Sequence, residues 1–237
     1  MSTPLKNPVT SAPSKGAVST PDKLPSSKHF KGLVTIIVGR SEKHFTVHKE
    51  LLIFYSDYFR AAFNGSFVEA AESKIELLDV AQEVFEHFHA WLYTRRLVSE
   101  DEKPLMWLSL AALWVFGDRF QVPMLQNCVA DELFAKRERD NRFPLGLIKY
   151  VNGVTPVGSP LRRITVNIII HRMGSLGEPD NPKSGILTPE NRHFWTIEIL
   201  EDLLREADAA RHNKLAPNKL PKRDKCFFHV HGKDEHC

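Results

Sequence analysis

The chain has 237 residues, 42% of them hydrophobic, and a formal net charge of +3. That length holds one domain with an extension or two small ones, with enough apolar content for a core. So mild a charge, averaged over the chain, argues for neither a nucleic-acid nor a membrane partner, and no run of about eighteen apolar residues is present to span a bilayer.

The first residues lack the apolar stretch of a signal peptide. Three cysteines without an export signal point to a reducing compartment, cytoplasm or nucleus, and to no disulfide framework. Residues 1–28 are rich in Ser, Thr, Pro and Lys and hold no aromatic side chain, so disorder is expected there.

Val34–Val38 is an apolar strand closed by Gly39, and Phe45 and Val47 alternate with polar neighbours as a second strand, which makes a hairpin. After His48 the period changes. Leu51, Leu52, Tyr55, Phe59, Ala62 and Phe63 recur at helical spacing, with Ser56 placed to cap a fresh helical start. A lone histidine at such a strand-to-helix junction reads as structural rather than as a ligand. Residues 74–79 alternate as a third strand, and Asp79 stands at capping-box spacing from Gln82.

The next helix has Val84, Phe85, Phe88, Trp91 and Leu92 as its buried face. His87 and His89 are two apart, share no face, and read as surface residues. Pro104–Phe120 is apolar almost all round and predicts a central core helix. Pro123 starts another, with Leu125, Cys128, Val129 and Leu133 on one stripe and Cys128 read as a small buried hydrophobe.

Several of these features stand in a recognisable order: Val38-Gly39, Phe45-x-Val47-His48-Lys49, Ser56-x-Tyr58-Phe59, Phe67-x-Glu69, Ile75-x-Leu77 with Asp79, Phe85, and Leu92-Tyr93-Thr94. Spread over about sixty residues, they resemble the BTB/POZ domain far more specifically than a single short pattern would. Leu113–Asp118 followed by Gln121-Val122-Pro123 is similar to that domain's last helical pair, so the resemblance covers residues 29–137.

The resemblance implies an α+β fold, a small sheet against a helical cluster. Val38, Gly39, Phe45, Val47, His48, Ser56, Tyr58, Phe59, Phe67, Glu69 and Tyr93 are then structural signature residues. It further implies a non-catalytic interaction module that homodimerises and, in many members, recruits a cullin scaffold of a ubiquitin ligase. Two positions depart from the family. Leu33 stands where many members carry an Asp. Ala62, Phe63 and Asn64 occupy the place of a hydrophobic-x-Glu pattern in cullin-binding members, which makes them partner-binding candidates without the acid.

The polar run at residues 136–142 marks a boundary, and residues 138–211 read as a helical extension. Ser159-Pro160 starts a helix through Leu161, Ile164, Ile168 and His171 that Gly174 can end. The β-branched string from Ile164 to Ile170 favours a strand instead, but the start and stop signals decide for helix. A Gly/Pro-rich loop at 174–187 precedes a helix from Thr188-Pro189 to near Arg211, with Phe194, Ile197, Leu200 and Leu204 on one face. The Tyr150–Arg163 pattern resembles extensions that follow BTB domains in fungal proteins.

Residues 212–237 form a basic tail containing Cys and His. Cys226-x-x-His229 can chelate one zinc, with His231 and Cys237 as the preferred remaining ligands; against this stands a flexible tail with no specific metal, because the loop is short for a structural site. The lysines around Phe227 and Phe228 offer nonspecific phosphate contacts. No P-loop, GxSxG or HExxH is present, and no enzyme and no cofactor beyond that zinc are expected. Two functions follow: an interaction module acting through residues 29–137, or a zinc- or nucleic-acid-binding regulator acting through the tail.

Overall fold

The computed structural model describes residues 24–64, 71–140, 145–175, 188–213 and 223–231. β1 (Leu33–Val38) and β2 (Lys43–His48) form the expected hairpin, with Ile36 opposite Phe45 and Val34 opposite Val47. Gly39 turns the chain at a φ of 71°, and a Cβ there would sit 3.4 Å from the Val80 carbonyl oxygen, so only glycine fits without strain. β3 (Lys74–Leu77) runs parallel to β1 on its other side, giving the order β2-β1-β3. The period-2 alternation puts Ile75 and Leu77 of β3 into the core.

Between β2 and β3 the chain forms α1 (Lys49–Tyr55) and α2 (Asp57–Asn64). Ser56 separates them in an extended conformation. Its hydroxyl accepts from the Phe59 N–H at 3.0 Å and donates to the Phe120 carbonyl at 2.6 Å, so the expected cap is also a tie to a distant loop. Disorder was expected up to residue 28, but Ser27–His29 forms a 3₁₀ turn, and the His29 ring packs 4.3 Å from Phe54.

α3 (Gln82–Thr94) buries Phe85, Phe88, Trp91 and Leu92. Its N-cap is Ala81, not Asp79. The carboxylate of Asp79 instead takes both terminal nitrogens of Arg119, at 2.6 and 3.1 Å, a bidentate pair that competes with the local cap. Neither His87 nor His89 is fully solvated. The His89 ring lies between Phe45 and Tyr93, and burial lowers its pKa.

α4 (Trp107–Arg119) is the central helix, and α5 (Pro123–Arg139) packs along it. A Cβ at Gly117 would come within 2.9 Å of the Gln126 side chain, which marks how closely the two approach. α5 continues to Arg139, so the last helix of this domain ends within the polar run at 136–142. Lys136 is buried, with its ammonium 3.0 Å from Asp140 and over the Trp107 ring.

The extension comprises α6 (Gly146–Val154), which the sequence reading did not delimit, then α7 (Pro160–Ser175), a 3₁₀ turn (Pro189–Phe194) and α8 (Ile197–His212). α7 is a helix despite its β-branched string, with Ser159 accepting from the Arg162 N–H, and it continues through Gly174 rather than ending there. Leu147, Val151, Leu161, Ile164 and Ile168 join the core of residues 29–137, so the extension packs on that domain.

Ile148, Val166, Ile169 and Ile199 make a smaller second cluster. The expected apolar face of α8 is reversed. Ile197 and Leu204 are 73% and 69% exposed, while Ile199 and Ala210 are buried. No helix among the described residues is long and apolar enough to cross a membrane.

Candidate interaction surfaces

His48 closes β2 and precedes α1, and this junction organises the face on which the sheet meets α3. The Tyr93 hydroxyl accepts from the His48 backbone N–H at 3.1 Å and lies 2.9 Å from His48 Nδ1. One hydroxyl thereby ties the end of β2 to the last turn of α3. Around His48 stand three exposed apolar or aromatic groups: Tyr93 at 38% exposure, Phe30 at 43% with its ring edge-on to the imidazole, and Leu33 at 61%, opposite His48 in the β1–β2 register.

The remaining signature residues divide by role. Val38, Phe45, Val47 and Phe59 are core, and Tyr58 packs edge-on against Phe59 and Phe120 at the surface. Phe67 and Glu69 lie outside the described residues. Of the partner-binding candidates, Asn64 is exposed and Ala62 is half-buried. Phe63 is a core residue stacked on Phe59, because the α2 stripe turns it inward, and so its ring is not available to a partner.

The tail does not hang free over residues 223–231. Asp224 caps a 3₁₀ turn (Lys225–Phe227), and Phe228 is buried against Phe134 of α5 with ring centroids 4.8 Å apart. The Asn127 amide grips the Val230 backbone at both ends, donating to its carbonyl at 2.9 Å and accepting its N–H at 2.7 Å. Asp131 receives His229 and Lys225, and these hydrogen bonds, His229 first, hold its carboxyl below the ordinary value. Phe227 sits between the guanidinium groups of Arg163 and Arg223.

The sequence reading missed Asn127, Asp131 and Phe134. Adjacent phenylalanines in an otherwise charged tail were the available signal that this stretch is buried somewhere. Of the four proposed zinc ligands, Cys226 is half-buried, and His229 spends Nε2 on Asp131. The His231 ring is 6.1 Å from that of His229, and Cys237 lies outside the described residues. Among the described residues no group of three or more His, Cys, Asp or Glu is gathered as a metal would need. Cys128, expected in the core, is half-buried beside Arg95.

Residues 29–136 match the family model of the BTB/POZ domain. The chain is 26% identical over 140 residues to Kelch repeat and BTB domain-containing protein 8 of Xenopus tropicalis, covering 58% of this chain and 22% of that protein. It is 28% identical over 86 residues to Kelch-like protein 38 of Danio rerio, covering 36% of this chain and 15% of that one. A third relative, BTB/POZ domain-containing protein 9 of Mus musculus, is 31% identical over 103 residues, covering 43% of this chain and 16% of that one. The matched stretch is thus less than a quarter of each relative's length.

Residues 29–136 are therefore a BTB/POZ domain, a three-stranded sheet with a helical cluster, followed by further helices. Such a domain is a protein-interaction module.

Proposed function

We propose that the protein is a non-catalytic recruiting protein that self-associates through the patch around His48 and serves as an adaptor between a bound protein and a cullin scaffold of a ubiquitin ligase. The observation that carries the self-association reading is the grouping of Phe30, Leu33 and Tyr93, all exposed, around one rigidly held histidine. Clustered aromatic and aliphatic side chains on an otherwise polar surface are what partner proteins bury. The adaptor reading is supported by the BTB/POZ match and by the Kelch-type names of the relatives. On this chain Asn64 would meet a scaffold through hydrogen bonds, where an acidic side chain would supply charge.

The test is light scattering on the full chain across a concentration series, with and without a purified cullin N-terminal region. The expected result is a dimer that Leu33→Lys converts to monomer, and a larger complex when the cullin is added. A monomer at every concentration that ignores the cullin overturns both parts.

A further inference from the structure

α3 ends on Arg95, whose φ of 60° places a full side chain in the left-handed region that glycine ordinarily fills. Strain of this kind persists where the surroundings fix it, often at binding sites. The guanidinium lies 4.1 Å from the Trp91 ring and 5.0 Å from that of Tyr55, with Nη2 3.7 Å from the Cys128 sulfur. Nη1 is buried and has no hydrogen-bond partner. A cation seated on aromatic rings with an unused donor is a costly arrangement that an anion would relieve.

Arg95 borders a cleft of about 700 Å³ between the end of α3, the loop that follows it, and α5. The other charges on its rim are already matched: Arg139 with Glu132 at 2.6 Å, Arg96 with Glu102 at 3.3 Å, and Asp131 with Lys225 and His229. Among the described residues no carboxylate lies within ion-pair distance of Arg95, so the cleft keeps one uncompensated positive charge beside the apolar side chains of Leu97, Val98 and Pro104.

From this we infer that the cleft is a docking site for an acidic peptide segment of a partner protein. One Glu or Asp carboxylate pairs with the Arg95 guanidinium, which turns from Cys128 onto it, and an adjoining apolar residue lies against Leu97 and Val98. A guanidinium is suited to this because it binds a carboxylate through two parallel N–H donors. The volume suits a few residues rather than a whole domain surface.

The inference rests on reading the chain as an interaction protein, but it uses none of the residues around His48. The two therefore fail separately: a monomer that binds the peptide through Arg95 loses the self-association and keeps this site, and a dimer that ignores the peptide does the reverse.

The experiment titrates ¹⁵N-labelled full chain with the peptide acetyl-Ala-Glu-Leu-Glu-Ala-amide, with its Gln counterpart, and with inorganic phosphate, each at physiological salt. Arg95→Gly is the informative variant, since glycine relaxes the strained backbone and the protein should still fold; Arg95→Lys keeps the charge but not the fork. Saturable shifts are expected at Arg95, Cys128 and Ala135, with binding at least about tenfold weaker for Arg95→Gly and for the Gln peptide. Equal binding by Arg95→Gly, equal binding of the Gln peptide, or no saturation at millimolar peptide overturns the site. Displacement of the peptide by equimolar phosphate also overturns it, because the cleft would then hold any adventitious anion only.

Discussion

Nε2 of His229 lies 3.1 Å from one carboxylate oxygen of Asp131, and the Lys225 ammonium lies 3.2 Å from the other. Two polar side chains from the last described segment thus converge on one acid in the middle of α5. About half of that carboxylate side chain remains exposed, so solvent screens the pairs and together they stabilise the docked segment by no more than about 1 kcal/mol. Asp131→Ala should speed hydrogen exchange of the Val230 amide by less than about fivefold, measured by NMR at neutral pH. A much larger acceleration would show that Asp131 supports more than the segment's charges.

The same acid sets a pH dependence. Hydrogen bonds from His229 and then Lys225 lower the Asp131 pKa, outweighing the burial that would raise it. A carboxyl depressed in the folded state adds stability that is complete above its unfolded pKa and disappears as pH falls through the lower folded value. This group therefore leaves docking unchanged from neutral pH down to about 5 and weakens it below about 4. The Phe228 ring resonances should follow that course in the wild type and lose this component in Asp131→Asn. A midpoint above pH 5 removed by that substitution would reverse the sign argued here.

Docking strength should reside instead in Phe228 and Asn127. Phe228 is buried against Phe134, and truncating a buried phenylalanine typically costs about 3 kcal/mol or more. Asn127→Ala removes two hydrogen bonds to Val230, about 1 kcal/mol each. Both variants should release residues 225–231, read as fast exchange there, while amides of β1 and α4 keep their protection. Intact protection at Val230 in Phe228→Ala would mean that polar contacts alone hold the segment.

Ser56→Ala should destabilise the domain by about 2 kcal/mol. It deletes the acceptor for the Phe59 N–H and the donor to the Phe120 carbonyl at a site that is 1% exposed, where water cannot substitute. Urea denaturation reports this as a lower midpoint at unchanged slope. A shift worth less than about 0.5 kcal/mol would mean that the Phe120 carbonyl finds another donor.

The same serine shows why much of the domain was legible in the sequence. A cap acts on residues two or three positions away, and the period change after His48 is equally local, so both can be read without tertiary knowledge. Long-range partners cannot. Asp79 had capping geometry in sequence but belongs to Arg119, forty residues on, and Phe228 was read with its charged neighbours because Phe134 gives no local sign of receiving it. Arg95 was invisible for another reason: nothing in the pattern announces that a helix will end on a left-handed arginine.

α8 poses the problem in its plainest form, because it carries two apolar sets at helical spacing. Ile197, Leu200 and Leu204 form one; Ile199, Leu203 and Ala210 form the other. Periodicity identifies the helix but does not choose between faces. Val166 and Ile169 of α7 choose, by packing against Ile199. Ile199→Ala should therefore cost about 2–4 kcal/mol, whereas Ile197→Ser and Leu204→Ser should each stay within about 0.5 kcal/mol in the isolated protein. Thermal unfolding of the three variants checks the order. If Ile197→Ser is the damaging one, the helix is rotated relative to α7, because a side chain that is 73% exposed has too little buried area to lose that much.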